Sequence, residues 1–248
     1  MKLSDYSAGP DYVKLLLLGS SGAGKTVSAM SFPKPIHVMD FDNKISSAVK
    51  FYKDDKELLG QIEVSQLGKM PIRGDAKTAR PTRMAQFNSE LQKIYDLQNN
   101  KKPLPFKTLV VDTITTMTDS ILEDYRYCSQ LAIKRPNPDQ NSQSDYGLLI
   151  NHFKQYLTGL LALDCNVVFI GHTQLMRDEQ TGSITNEILM PGSLGAKLGI
   201  YFEEVYFAKI DSTGKNVWQA KPDGKTSFCR TQRKLAAEIP ANYQELMK

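Results

Sequence analysis

The sequence has no run of apolar residues near the roughly 18 that a membrane-spanning helix needs. It also has no secretory signal pattern at its start. Cysteine is scarce. Cys128, Cys165 and Cys229 are far apart, so neither a disulfide framework nor a zinc site is suggested. Such a set suits a reducing compartment, so the expected location is the cytoplasm. There is no internal repeat and no linker that would divide the chain.

What is present is ordinary soluble-domain material. Of the 248 residues, 41% are hydrophobic and 23% charged, enough for a substantial core. Residues 1–10 are polar and aperiodic and are expected to form a loose tail, with 11–248 as one domain. The formal net charge is +4. The stretch from Gly68 to Arg83 holds five basic residues (Lys69, Arg73, Lys77, Arg80 and Arg83) against Asp75 alone. A local excess of this kind attracts phosphates, or merely keeps a loop solvated.

Short apolar runs alternate with helical periodicity. Strands are expected at 12–18, 36–39, 61–64, 108–111 and 166–170, and helices at 25–31, 45–51, 82–98, 117–128 and 146–163. The segments 134–145 and 173–199 are polar and aperiodic and read as loops. Segments 203–210, 216–220 and 226–230, separated by Asp-Ser-Thr-Gly and Pro-Asp-Gly turns, read as antiparallel strands. The alternation predicts an α/β fold with a mostly parallel central sheet, helices on both faces and a C-terminal antiparallel extension. Ligands of such sheets bind beyond the C-terminal ends of the strands.

The chemistry-bearing residues fall at those ends. Gly19-Ser20-Ser21-Gly22-Ala23-Gly24-Lys25-Thr26 fits G-x-x-x-x-G-K-[ST] between an apolar strand and a helix. Glycines let such a loop curl its N–H groups inward as an anion nest, and the following helix adds its positive end. Lys25 would reach the β- and γ-phosphates of a nucleoside triphosphate, and the Thr26 hydroxyl would ligate a magnesium ion (Mg2+). Asp112, after the apolar run Leu109-Val110-Val111, would hold the same ion. Asp40 and Asp42 end the next strand. Either could orient water as a base or cap the following turn, and Asp42 is the favoured base. His172, also at a strand end, could hydrogen-bond a γ-phosphate. There is no Asn-Lys-x-Asp guanine signature, since Asn43-Lys44-Ile45-Ser46 lacks the aspartate, so ATP is the expected nucleotide.

The ordered series GSSGAGKT, MDFD, TLVVDTITTM, SDYGLLINHF, VVFIGHTQ, FEEVYF and CRTQRK, over about residues 12–240, resembles the RecA-like P-loop ATPases of bacteriophages. More narrowly, it resembles those that serve single-strand annealing and recombination. The resemblance implies a RecA-like fold, an ATPase stimulated by DNA, single-stranded DNA as partner, a ring or filament of identical subunits, and a possible single-strand-binding protein. If it holds, the chain works in the cytoplasm of a bacterial host. It puts Asp42 where the family has the glutamate of a D-x-E pattern, here D-x-D, and His172 near the position that couples the γ-phosphate to the DNA-binding loop. The loops 134–145 and 173–199 would face the DNA. Lys134, Arg135, Arg177 and Lys197 would then add charge to the basic stretch, with Tyr146 the nearest stacking surface. Arg230 and Arg233 would reach a neighbouring subunit's nucleotide. Two other readings stand beside this one: a nucleotide-switched interaction, loader or packaging module with little turnover, and a small-molecule P-loop kinase with Arg177 in its lid.

Overall fold

Lys14–Gly19 (β1) is a strand because its leucines can be buried on both faces at once: Leu15 to Leu18 are all fully buried. In the computed structural model, which describes residues 12–68, 82–128 and 141–248, this strand lies inside a mixed sheet. The further strands are β2 (Ile36–Asp40), β3 (Ile62–Gln66), β4 (Thr108–Asp112), β5 (Asn166–Arg177), β6 (Ile184–Ile188), β7 (Glu204–Ile210), β8 (Asn216–Gln219) and β9 (Glu238–Pro240). Their spatial order is β3-β2-β4-β5-β1-β7-β8-β9, with β6 paired to the far half of β5. The first six strands of that order run parallel. β8 and β9 extend the edge antiparallel.

The helices are α1 (Lys25–Ala29), α2 (Ser46–Phe51), α3 (Lys56–Leu59), α4 (Thr82–Asn99), α5 (Ile114–Cys128), α6 (Gln143–Leu161), α7 (Leu194–Leu198) and α8 (Tyr243–Leu246). Side chains alternate across a strand, and the core divides accordingly. Leu16 and Leu18 point into a cluster with Phe87, Leu91, Met117, Ile121, Phe153 and Leu157 of α4, α5 and α6. Leu15 and Leu17 point into a second cluster with Ala29, Ala48, Trp218 and Leu246. The sheet is therefore covered on both faces. Among the described residues, no helix is long and apolar enough to cross a membrane.

Three expectations are corrected. The segment 203–210 is not antiparallel to its main neighbour: β7 runs parallel to β1, and the antiparallel extension begins only at β8. Residues 226–230 form no strand. They contribute one bridge, Val205 to Arg230, while β9 takes the edge. The segment 173–199 is not a loop. β5 continues through it to Arg177 and folds back as β6, a hairpin that periodicity missed because both its faces are largely exposed. Helix α6 starts earlier than expected because Ser142 and Asp145 form a capping box there. The expected tail at 1–10 and most of the basic stretch and of 134–145 lie outside the described residues.

The end of α4 carries a testable strain. Lys102 N–H donates to the Leu97 carbonyl and Lys101 N–H to that of Gln98. This doubly hydrogen-bonded helix ending normally wants glycine at the position of Lys101, which has φ of 54°. Lys101→Gly is expected to stabilise the fold by about 0.5–1 kcal/mol, measured as the shift in the urea midpoint at constant slope.

Candidate functional site

The end of β1 approaches β7 so closely that a Cβ on Gly19 would lie 2.5 Å from the Ala208 carbonyl oxygen. The chain then turns through residues 20–24 into α1. Gly24 caps that helix at φ 75°, a left-handed conformation that costs other residues about 1–2 kcal/mol. The N–H groups of Gly22, Gly24, Lys25 and Thr26 donate to no acceptor among the described residues. A ring of uncommitted donors at a helix start is the physical content of an anion nest.

Lys25 folds back over this loop. Its Nζ donates to the carbonyl oxygens of Gly19 at 2.9 Å and Ser20 at 2.7 Å. Burial lowers its pKa to about 8, against the opposing pull of Asp112 and Asp42. The next residue, Thr26, donates from Oγ1 to Oδ2 of Asp112 at 2.6 Å. Asp112 ends β4 and is buried. Burial pushes its pKa up to about 6; the Thr26 hydrogen bond and the Lys25 charge oppose this, and the charges of Asp42 and Asp40 add to it. A hydroxyl and a carboxylate side by side, both lining one cavity, are the hard oxygen donors that suit Mg2+. That ion needs only one or two protein oxygens beside phosphate and water.

The two aspartates at the end of β2 point to different partners. Asp40 is a structural cap: its carboxylate accepts the N–H groups of Lys44 at 3.3 Å and Ile45 at 3.1 Å, at the entrance to α2. Asp42 faces the cavity. Its Oδ1 accepts hydrogen bonds from Thr116 and, at 3.3 Å, from Thr113, while Nε2 of His172 lies 3.8 Å from Oδ2. Burial alone would raise its pKa. The nearby His172 ring, the Thr116 hydrogen bond and the Lys44 charge together outweigh burial and hold it below the usual carboxylate value.

His172 is placed by strand order. β5 lies between β1 and β4, and its register sets His172 beside Gly19. The His172 N–H donates to Thr115 Oγ1 at 3.1 Å. The resulting cavity, of about 460 Å³, is lined by the loop from Ser21 to Val27 and by Asp42, Lys44, Asp112, Thr113 and His172. Thr113, Thr116 and Lys44 were not singled out from sequence. The hydroxyl-rich run after Asp112 was their only signal.

The remaining candidates are scattered. Arg177 and Lys197 are exposed, on the β5–β6 hairpin and on α7. Arg177 stands five residues beyond His172, roughly 17 Å along an extended strand. Arg83 is bound internally, from Nε to the Gly68 carbonyl at 3.1 Å and from Nη1 to Ser120 Oγ at 3.3 Å. Lys69, Arg73, Lys77, Arg80, Lys134 and Arg135 lie outside the described residues. Arg233 lies 3.5 Å from the buried carboxylate of Glu204, and Arg230 bridges to Val205. Glu204 pairs with Leu15, at the end of β1 remote from Gly19, so neither arginine meets this chain's own cavity.

A phosphate loop at the head of a parallel sheet, with an acidic strand end facing its threonine, defines a mixed α/β P-loop nucleotide-binding protein. A family model described as an AAA domain matches residues 11–232. The chain belongs to that family and is thereby a nucleotide-binding protein of the P-loop ATPase type. No curated protein matches it.

One consequence of the site's electrostatics is measurable in the isolated chain. Because the folded-state pKa of Asp112 lies above its unfolded value, folding takes up a proton between about pH 4 and pH 6. Its contribution is therefore most favourable below that window and is lost as pH rises through it. Asp112→Asn is expected to stabilise the nucleotide-free protein at pH 7 by about 1–3 kcal/mol, a gain that vanishes below about pH 4. Thermal unfolding across a pH series measures this. A mutant less stable than wild type at pH 7 would mean that the Thr26 hydrogen bond outweighs the buried charge.

Proposed function

We propose that this chain is a Mg2+-dependent ATPase whose turnover is coupled to single-stranded DNA, in annealing or recombination, as an oligomer. One observation carries the coupling. His172, beside the phosphate loop and 3.8 Å from Asp42, stands on a strand that continues unbroken into the exposed hairpin bearing Arg177. A side chain that meets the γ-phosphate and a surface that meets DNA thus share one rigid element.

The roles follow from the geometry. The loop amides and Lys25 hold the β- and γ-phosphates. Thr26 and Asp112 hold Mg2+, which when bound neutralises phosphate charge. Asp42, kept ionised, accepts the proton of the attacking water as the water oxygen bonds to the γ-phosphorus and ADP leaves. Thr113 and Thr116 fix the Asp42 carboxylate, and His172 donates to the γ-phosphate. The basic residues bind the DNA backbone, so binding weakens with salt. A second reading, a nucleotide switch with little turnover, is favoured by one feature: aspartate is shorter than glutamate, and this one is already held by two hydroxyls.

The test is ATP hydrolysis with and without single-stranded DNA over a salt series, using wild type and Arg177→Ala/Lys197→Ala. Stimulation that fades with salt and drops several-fold in the double variant is the expected result. Turnover indifferent to DNA, or phosphate transfer to a small acceptor, would overturn the coupling. Tight ATP binding without turnover would establish the switch.

A further inference from the structure

The γ-phosphate end of the site lies toward β4 and β5, where Asp112, Asp42 and His172 gather. On the other flank of β1 stands the β7–β8 hairpin. Gly19 and Ala208 are in contact range, so β7 passes beside the start of the phosphate loop and its last residues rise past it.

Two residues of that hairpin are unaccounted for by the core. Ile210 is 55% exposed although it ends a strand of buried residues. Asn216 is its cross-strand partner. Directly opposed residues share a face, and two residues further on that same face carries Ala208 and Trp218. Ala208 abuts Gly19, and the Trp218 indole donates to Ser28 Oγ in α1 at 3.3 Å. Ile210 and Asn216 therefore look over the phosphate loop and the start of α1. The Asn216 side chain reaches the loop itself. A Cβ built on Gly24 would lie 2.8 Å from its Nδ2 and 3.0 Å from its Oδ1.

The hairpin holds this pair firmly. The Asp211 carboxylate accepts the N–H groups of Thr213 and Lys215 and the Thr213 hydroxyl, with Gly214 at φ 82° closing the turn. The Asn216 carbonyl accepts the Ala241 N–H. The Asn216 side-chain amide, by contrast, is exposed and has no hydrogen-bond partner among the described residues.

We propose that Ile210 and Asn216 form the nucleobase shelf of the site, with Ile210 against the face of an adenine and the Asn216 amide against its edge. This rests on the phosphate-loop reading above. A triphosphate whose γ end lies at Asp112 and His172 leads its nucleoside toward the opposite flank, which is the hairpin. An aliphatic surface next to an unpaired amide matches adenine, whose amino donor lies beside a ring-nitrogen acceptor.

The experiment is equilibrium binding of Mg·ATP, Mg·GTP and inorganic tripolyphosphate to the full chain, with Asn216→Ala, Asn216→Asp, Ile210→Ser and Lys25→Ala. Asn216→Ala weakens ATP about tenfold, Ile210→Ser several-fold, and neither changes tripolyphosphate affinity. Asn216→Asp, which presents only acceptors, shifts preference from ATP toward GTP, whose base edge presents two donors. Lys25→Ala loses all three ligands. Equal losses for ATP and tripolyphosphate in the Asn216 variants would make Asn216 a prop for the loop and overturn the shelf. Unchanged ATP affinity in all hairpin variants, with Lys25→Ala still abolishing binding, would place the base elsewhere. Wild type that binds neither ATP nor tripolyphosphate would overturn the phosphate-loop reading and the shelf with it.

Discussion

Lys25→Ala is expected to lower ATP hydrolysis by about 10³-fold, a loss of ~4 kcal/mol of transition-state stabilisation, and to weaken ATP binding with it. Lys25 is the buried cation at the mouth of the loop, and its Nζ spans two loop carbonyls. Without it, charge developing on the transferred phosphoryl group meets only amide dipoles and the metal. Its lowered pKa adds a pH signature. In the free protein, raising pH through about 8 discharges the ammonium, so ATP affinity falls there in wild type and stays flat in Lys25→Met. The stability effect runs the other way. A lysine whose folded pKa lies below 10.5 disfavours folding at neutral pH, and the penalty disappears as pH rises from about 8 toward 10.5. Lys25→Met should therefore melt no lower than wild type at pH 7. Isothermal titration and thermal unfolding over pH 6–10 separate lost function from lost folding.

Asp42→Asn is expected to lower kcat by about 10²- to 10⁴-fold with little change in ATP affinity. Asn keeps the shape, and its carbonyl oxygen can still accept from Thr116, but it cannot take the proton of water. Single-turnover hydrolysis beside equilibrium binding reads the two effects separately. Because Asp42 is held below the usual carboxylate value, the acid limb of the wild-type rate profile should fall at a lower pH than for a free aspartate. Thr116→Val removes a hydroxyl whose hydrogen bond lowers the Asp42 pKa and should move that limb upward. An Asp42→Asn variant with undiminished turnover would remove Asp42 from the chemistry and leave the water to His172 or to solvent.

The phosphate loop was legible because its requirements are local. Left-handed glycines, a lysine and a hydroxyl at fixed offsets follow from backbone geometry over eight residues, and Gly22, Gly24, Lys25 and Thr26 meet them in order. The parallel strands were legible because strands buried on both faces read as continuous apolar runs, as Leu15 to Leu18 and Leu109 to Val111 do. The β5–β6 hairpin was not, since a strand exposed on both faces leaves no alternation to read. β7 was read as antiparallel because its turns resemble those of hairpins. Its true neighbour, β1, lies 189 residues earlier by register, from Leu15 beside Glu204 to Leu18 beside Phe207.

Sequence by itself thus determined the class of chemistry: an anion-binding loop, a lysine, a threonine and an acidic strand end in an α/β sheet. Only tertiary structure decided which aspartate caps a helix and which faces the cavity. Asp40 and Asp42 are two residues apart on one segment, and local sequence favoured Asp42 as the base while leaving either free to cap the following turn. Asp40 turns toward the N–H groups of Lys44 and Ile45, and Asp42 toward Thr116 and His172, which are 74 and 130 positions away along the chain. Local backbone preference extends over a few residues, whereas a carboxylate's surroundings depend on which distant groups the sheet order brings beside it.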